Sequence, residues 1–191
     1  FFVFYKRIQA VIIAYICRSE KGMMKLQMVD LGGQYRKIQT EVDLAINEVI
    51  SSSAFINGPK VHSFQRELEE YLGIKHVIPC GNGTDALQIA LMALNLKKGD
   101  EIICPDFTFV ATAEAVKLLG LTAIFVDVDK DNFTIDIENI KSAITSKTRA
   151  IIPVHLFGQC TNMEAILKIT KENNLHIIED TAQAIGANYI F

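Results

Sequence analysis

Hydrophobic positions change their rhythm once along this chain, near residue 76. Before that point Tyr35, Ile38, Val42, Ile46, Val49 and Ile50 recur at steps of three and four, the spacing of one face of an α-helix. SSSAFINGPK (51–60) reads as a loop punctuated by Gly58-Pro59. Val61, Phe64, Leu68 and Leu72 mark a second amphipathic helix, with Gly73 as its stop. Beyond it, short continuous apolar runs alternate with helical stretches. HVIPC (76–80), EIICP (101–105), TAIFVDV (122–128), RAIIPVHLF (149–157) and HIIED (176–180) read as buried strands. Between them TDALQIALMALN (84–95), FVATAEAVKLLG (109–120), IDIENIKSAI (135–144) and NMEAILKITKENN (162–174) read as helices. Strands that are apolar throughout, separated by helices, predict a parallel sheet covered on both faces. The expected architecture is α/β, a three-layer α/β/α domain of five strands with the two leading helices as an arm or second lobe.

Charge and composition narrow the class. Nineteen basic against 22 acidic residues leave a net charge of −3, and half the residues are hydrophobic. A disordered chain is excluded, and no long basic run offers a footprint for nucleic acid. The four cysteines, Cys17, Cys80, Cys104 and Cys160, include no pair at the spacing of a zinc knuckle. They read as small core hydrophobes in reduced form, which predicts a cytoplasmic protein. The first residues differ from the rest. FFVFYKRIQAVIIAYIC is apolar but interrupted by Lys6, Arg7 and Gln9, and its unbroken run, Ala10 to Cys17, is too short to span a membrane. Residues 1–23 are expected to be an upstream or non-native extension, 24–75 the arm and helices, and 76–191 an incomplete large domain.

Ligands of a parallel sheet bind beyond the carboxyl ends of its strands. Three stretches stand at such ends. CGNGTDAL opens a helix with Gly81, Gly83 and Thr84, where free N–H groups and the helix dipole favour an anion; an ordinary cap by Thr84 or Asp85 is the alternative. Gly81-x-Gly83-x-x-Ala86 also satisfies the dinucleotide fingerprint, with Asp106 at the distance of a ribose-binding acid. DFTFVATA sets Phe107 and Phe109 past the second strand, as core residues or as a stacking surface for a planar group. IIEDTAQA puts Glu179 and Asp180 at the end of a buried strand, on opposite faces, with Gln183 three residues beyond Asp180. His155, near the end of the fourth strand, reads as a core histidine before it reads as a base.

These segments together resemble a family. CGNGTDALQIAL, PDFTFVATAEAVKLLG, IIPVHLFGQC and IIEDTAQAIGANY, in this order, resemble the DegT/DnrJ/StrS sugar aminotransferases, pyridoxal-phosphate enzymes of fold type I. The leading VDLGGQYRKIQTEVDLAINEVISSSAFINGPKVHSFQRELEEYLG is similar to that family's arm and F-I-x-G-P loop, so the likeness covers about residues 28–189. Among members, those acting on UDP-linked 3-keto-hexosamine uronates in surface polysaccharide synthesis are the most similar. The resemblance implies that Gly83 and Thr84 hold the phosphate of pyridoxal 5'-phosphate and that Phe109 stacks on its ring. It implies that Asp180 pairs with the protonated ring nitrogen and acts as the catalytic carboxylate, and that Gln183 lies beside the ring hydroxyl. It further implies glutamate as amino donor, a nucleotide-linked keto-sugar as acceptor and a homodimer.

The family carries its Schiff-base lysine in an S-F-x-x-x-K stretch beyond E-D-x-A-Q-x-x-G-A, and no lysine from Lys6 to Lys171 matches that place before Phe191. A lysine there serves as covalent partner and proton carrier, so this chain alone is expected to be nearly inactive, a fragment or frameshifted product without the C-terminal small domain. Two other readings stand beside this one. One is a dehydratase of the same family, in which histidine replaces the lysine; the other is a non-catalytic Rossmann-like nucleotide-binding module using Gly81-Asn82-Gly83.

Overall fold

The computed structural model describes residues 29–191. The expectation for 1–23 and the reading of Cys17 lie outside these residues. The chain forms two compact units that divide between Lys60 and Val61.

The first unit carries a long helix, α1 (Leu31–Ser52). Asp30 caps its start, its side chain accepting the N–H of Gly33 at 2.8 Å, and Ser53 ends it in the left-handed region at φ 53°.

The second unit begins with α2 (Pro59–Leu72), most of which falls within it, and then builds the layered domain. Its elements are α3 (Gly83–Ala93), β1 (Glu101–Pro105), α4 (Ala111–Leu118), β2 (Thr122–Val126), α5 (Ile137–Ala143) and β3 (Thr148–Ile151), then a 3-10 turn (Leu156–Gly158), α6 (Met163–Asn173) and β4 (His176–Ile177). The strands form one parallel sheet in the order β2-β1-β3-β4. Alternate side chains go to opposite faces, and two cores follow. Ile102, Cys104, Ala150 and Ile152 pack against Leu87 and Leu91 of α3 and Ala115 and Val116 of α4. Ile103 and Ile151 pack on the other face against Ile140 of α5 and Met163, Ile166 and Ile169 of α6. This is the expected three-layer arrangement.

Three strands, β2, β3 and β4, end earlier than the runs that predict them, and one is absent. β3 stops at Ile151 because Pro153 has no N–H to give to the ladder. Hydrogen bonding nevertheless continues past β4: Ile178 donates to Ile151, Asp180 to Pro153, and His155 returns a bond to the carbonyl of Asp180. Residues 76–80, expected as the first strand, pair with no strand among the described residues, and the sheet has four strands. The N–H of Val77 is taken by the Glu69 side chain at 2.9 Å, and Ile78 is 75% exposed. An apolar run becomes a strand only beside a ladder partner, and the run does not encode that partner.

Among the described residues no helix is long and apolar enough to cross a membrane.

Candidate functional site

α3 runs into β1 and α4 runs out of it, so the N-termini of both helices lie at the carboxyl edge of the sheet. The two helices pack against each other. Three groups of side chains gather at this edge.

The first is the turn before α3. Asn82 caps the helix: its side-chain oxygen accepts from the N–H of Asp85 at 2.9 Å, and its amide donates to the Asp85 carboxylate at 3.1 Å. A Cβ at Gly81 would lie 2.8 Å from that carboxylate, so only glycine leaves the cap undisturbed. Neither Thr84 nor Asp85 is the cap, which leaves the Thr84 hydroxyl for other partners. A Cβ at Gly83 would meet nothing within 4 Å, so the approach to its backbone is open. Helix geometry leaves the N–H groups of Gly83 and Thr84 without intrahelical acceptors. An anion of phosphate size fits such a turn.

The second is the loop from β1 to α4. Phe107 packs on Phe133, ring centroids 5.7 Å apart and tilted by 42°. Phe109 is 72% exposed. Of the two rings, Phe109 is the one available to cover a planar group. Asp106, at the end of β1, has its carboxyl raised above the usual range by burial and by the nearby charge of Asp127. Behind it, burial pushes the Cys104 thiol up to about 12. Cys104 is the core hydrophobe expected. Cys80 is exposed and corrects that reading at its position, because the strand that would have buried it does not form.

The third is the end of β4. Glu179 and Asp180 do point to different partners. Oδ2 of Asp180 accepts the hydroxyl of fully buried Thr112 at 3.0 Å, and Oδ1 accepts the N–H of Ala182 at 3.2 Å. Glu179 instead meets His155, Nε2 to Oε2 at 2.8 Å, while Nδ1 of that buried ring accepts the N–H of Thr161 at 3.2 Å. His155 is thus a satisfied core residue with its hydrogen on Nε2, and its bond is the main reason the Glu179 carboxyl sits below its usual range. Gln183 accepts the N–H of Phe157 through Oε1 at 2.8 Å, and its side chain is not bonded to Asp180.

The structure therefore brings Asp180 together with α4 through Thr112 and ties Gln183 to the 3-10 turn. It sets Gly83 and Thr84 at the start of the helix that packs on α4. The residues fit pyridoxal phosphate in kind: an open glycine turn at a helix N-terminus, a free aromatic ring and a fixed carboxylate. Two features escaped the sequence reading. Thr112 carried a signal, a hydroxyl on an otherwise apolar face one turn beyond Thr108. The Glu179–His155 pair carried none, since 24 residues separate its members.

The profile of the DegT/DnrJ/EryC1/StrS aminotransferase family matches residues 36–190. The chain is 46% identical over 166 residues to the pleiotropic regulatory protein of Geobacillus stearothermophilus, covering 87% of this chain and 45% of that protein. It is 43% identical over 164 residues to UDP-2-acetamido-2-deoxy-3-oxo-D-glucuronate aminotransferase of Pseudomonas aeruginosa, covering 86% and 46%. Among solved structures, NtdA from Bacillus subtilis with bound cofactor PMP superposes with a TM-score of 0.82 at 35% identity, covering 87% of this chain and 39% of that one. The chain thus spans less than half the length of these curated relatives.

Proposed function

The chain belongs to the DegT/DnrJ/EryC1/StrS aminotransferase family, and from that premise we propose that it forms the cofactor-binding part of a pyridoxal-phosphate enzyme. That enzyme moves an amino group, with glutamate as donor, to a keto-sugar carried on a nucleotide, for surface polysaccharide synthesis. It works in the cytoplasm as a homodimer. The names of the sugar transaminases among its relatives support the substrate class, and the PMP held by the Bacillus protein supports the cofactor.

When bound, the cofactor supplies an electron sink for the carbon whose amino group is exchanged. The chain's own residues do the rest. Gly83 and Thr84 receive the phosphate through N–H groups and a hydroxyl at the positive end of α3. Phe109 covers one face of the ring. Asp180 accepts a hydrogen bond from the ring nitrogen, and its negative charge favours the protonated, electron-drawing form. Gln183, its oxygen already engaged by Phe157, presents N–H groups to the ring hydroxyl.

One observation carries the reading: a carboxylate at the carboxyl edge of a parallel sheet, fixed by a donor on each oxygen. Titration of the chain with pyridoxal phosphate and with its amine form, followed by absorbance, tests it. Saturable binding is expected, weakened about tenfold or more by Asp180→Asn, as suits loss of a charge-assisted bond. Binding of NAD that ignores Asp180→Asn, with no binding of pyridoxal phosphate, would favour the nucleotide-binding module instead.

A further inference from the structure

We propose that Thr112 is a positioning residue for the cofactor's ring nitrogen, acting through Asp180, and that Thr108 is the outer member of the same hydroxyl chain. The proposal rests on the pyridoxal-phosphate reading and deepens it.

Thr112 is fully buried in the first turn of α4, 68 residues from Asp180 in sequence, yet its hydroxyl reaches Oδ2 at 3.0 Å. A helical threonine normally satisfies its hydroxyl on a backbone carbonyl three or four residues back. Thr112 gives its hydrogen to a side chain on another element instead. An ionised carboxylate only accepts, so the direction of the bond is settled: Thr112 donates. Its oxygen is then free to accept, and the hydroxyl of Thr108 stands 3.3 Å away. Donation therefore runs from Thr108 to Thr112 to Asp180.

The consequence for Asp180 is mechanical as well as electrostatic. Its backbone is held on both sides, its N–H by Pro153 and its carbonyl by His155. Its two oxygens are held by Thr112 and by the N–H of Ala182. The nearest other titratable pair, Glu179 and His155, is engaged with itself and with Thr161. Rotation of the carboxylate is thus limited by the Thr112 hydroxyl on one oxygen and the Ala182 N–H on the other. Each oxygen keeps a lone pair for a ligand. A carboxylate so fixed meets the ring nitrogen in one orientation. Valine has the volume of threonine without the donor; serine keeps the donor with less volume.

The test uses the 191-residue chain and its variants Thr112→Val, Thr112→Ser, Thr108→Val and Asp180→Asn. Pyridoxamine phosphate is titrated by fluorescence, and the absorbance of the bound cofactor is followed against pH. Thr112→Val is expected to weaken binding about tenfold and to move the ring-nitrogen transition to lower pH, as Asp180→Asn does. Thr112→Ser is expected to restore both. Thr108→Val, which leaves the buried residue in place, is expected to move the transition in the same direction by less. A purely structural Thr112 would lower the melting temperature and leave the transition in place, and that result overturns the proposal. So does a loss in Thr112→Val that serine fails to restore. If Thr112→Val does not fold, an unmoved transition in Thr108→Val overturns it. If the wild-type chain binds no cofactor, or Asp180→Asn binds it unchanged, the reading beneath the proposal falls and the proposal with it.

Discussion

The imidazole Nε2 of His155 lies 2.8 Å from a carboxylate oxygen of Glu179. The ring's other nitrogen accepts the N–H of Thr161, so the hydrogen on Nε2 points at the acid. This bond lowers the Glu179 carboxyl from its ordinary 4.5, against a smaller opposing effect of burial. A carboxyl lowered on folding contributes stability above its unfolded value and loses it as pH falls through its folded value. The wild-type chain should therefore lose more melting temperature than Glu179→Gln between neutral pH and a pH below 4.5. Thermal melts by circular dichroism at the two pH values check this; equal losses would contradict it.

Asp106 carries the opposite sign. Burial, and then repulsion from Asp127, raises its carboxyl above the ordinary 3.8. A raised carboxyl destabilises the fold wherever the group is forced to ionise, and the penalty is relieved as pH falls through its folded value. Asp106→Asn should melt higher than wild type at neutral pH, and the advantage should shrink in acid. An advantage that persists unchanged at low pH would mean that packing, not charge, is responsible.

Asn82 holds the start of α3 through the N–H of Asp85. Its replacement by alanine removes that acceptor and should cost about 1 kcal/mol of stability in urea unfolding, with glycine costing a few tenths. A loss confined to cofactor affinity, with stability unchanged, would show that the cap is not what this residue contributes.

The cysteines should differ sharply toward a thiol reagent. Cys80 is exposed, whereas Cys104 is fully buried with its thiol pushed up to about 12. Reaction goes through the thiolate, so Cys80 should label in the native chain and Cys104 only after denaturation. Peptide mapping by mass spectrometry after brief labelling distinguishes them. Native labelling of Cys104 would require the sheet to open.

Much of the layered domain was legible because its strands alternate between two cores. Ile102 and Ile103, adjacent in sequence, serve different helical layers, and a run apolar at every position is what that demands. The acid at Asp180 was legible because it closes such a run, and the turn at Gly83 because paired glycines open a helix. The segment from His76 to Cys80 was not, since pairing depends on a neighbour that a local pattern does not name. Nor were the partners of Asp180 and Glu179: Thr112 and His155 are brought to them by the sheet order β2-β1-β3-β4, over separations of 68 and 24 residues. Local patterning specifies which face a residue occupies; topology specifies whom it meets there.

The bond from Phe157 to Gln183 fixes which end of the amide faces which way. Phe157 sits in a left-handed backbone conformation, φ 57°, and a main-chain N–H has only a hydrogen to give. One lone pair of the Gln183 amide oxygen is taken by that N–H, and the flip state of the group is decided by the fold. The nitrogen end keeps both of its polarised hydrogens on offer. That half of the side chain discriminates by sign, welcoming an electron-rich oxygen and turning an ammonium away.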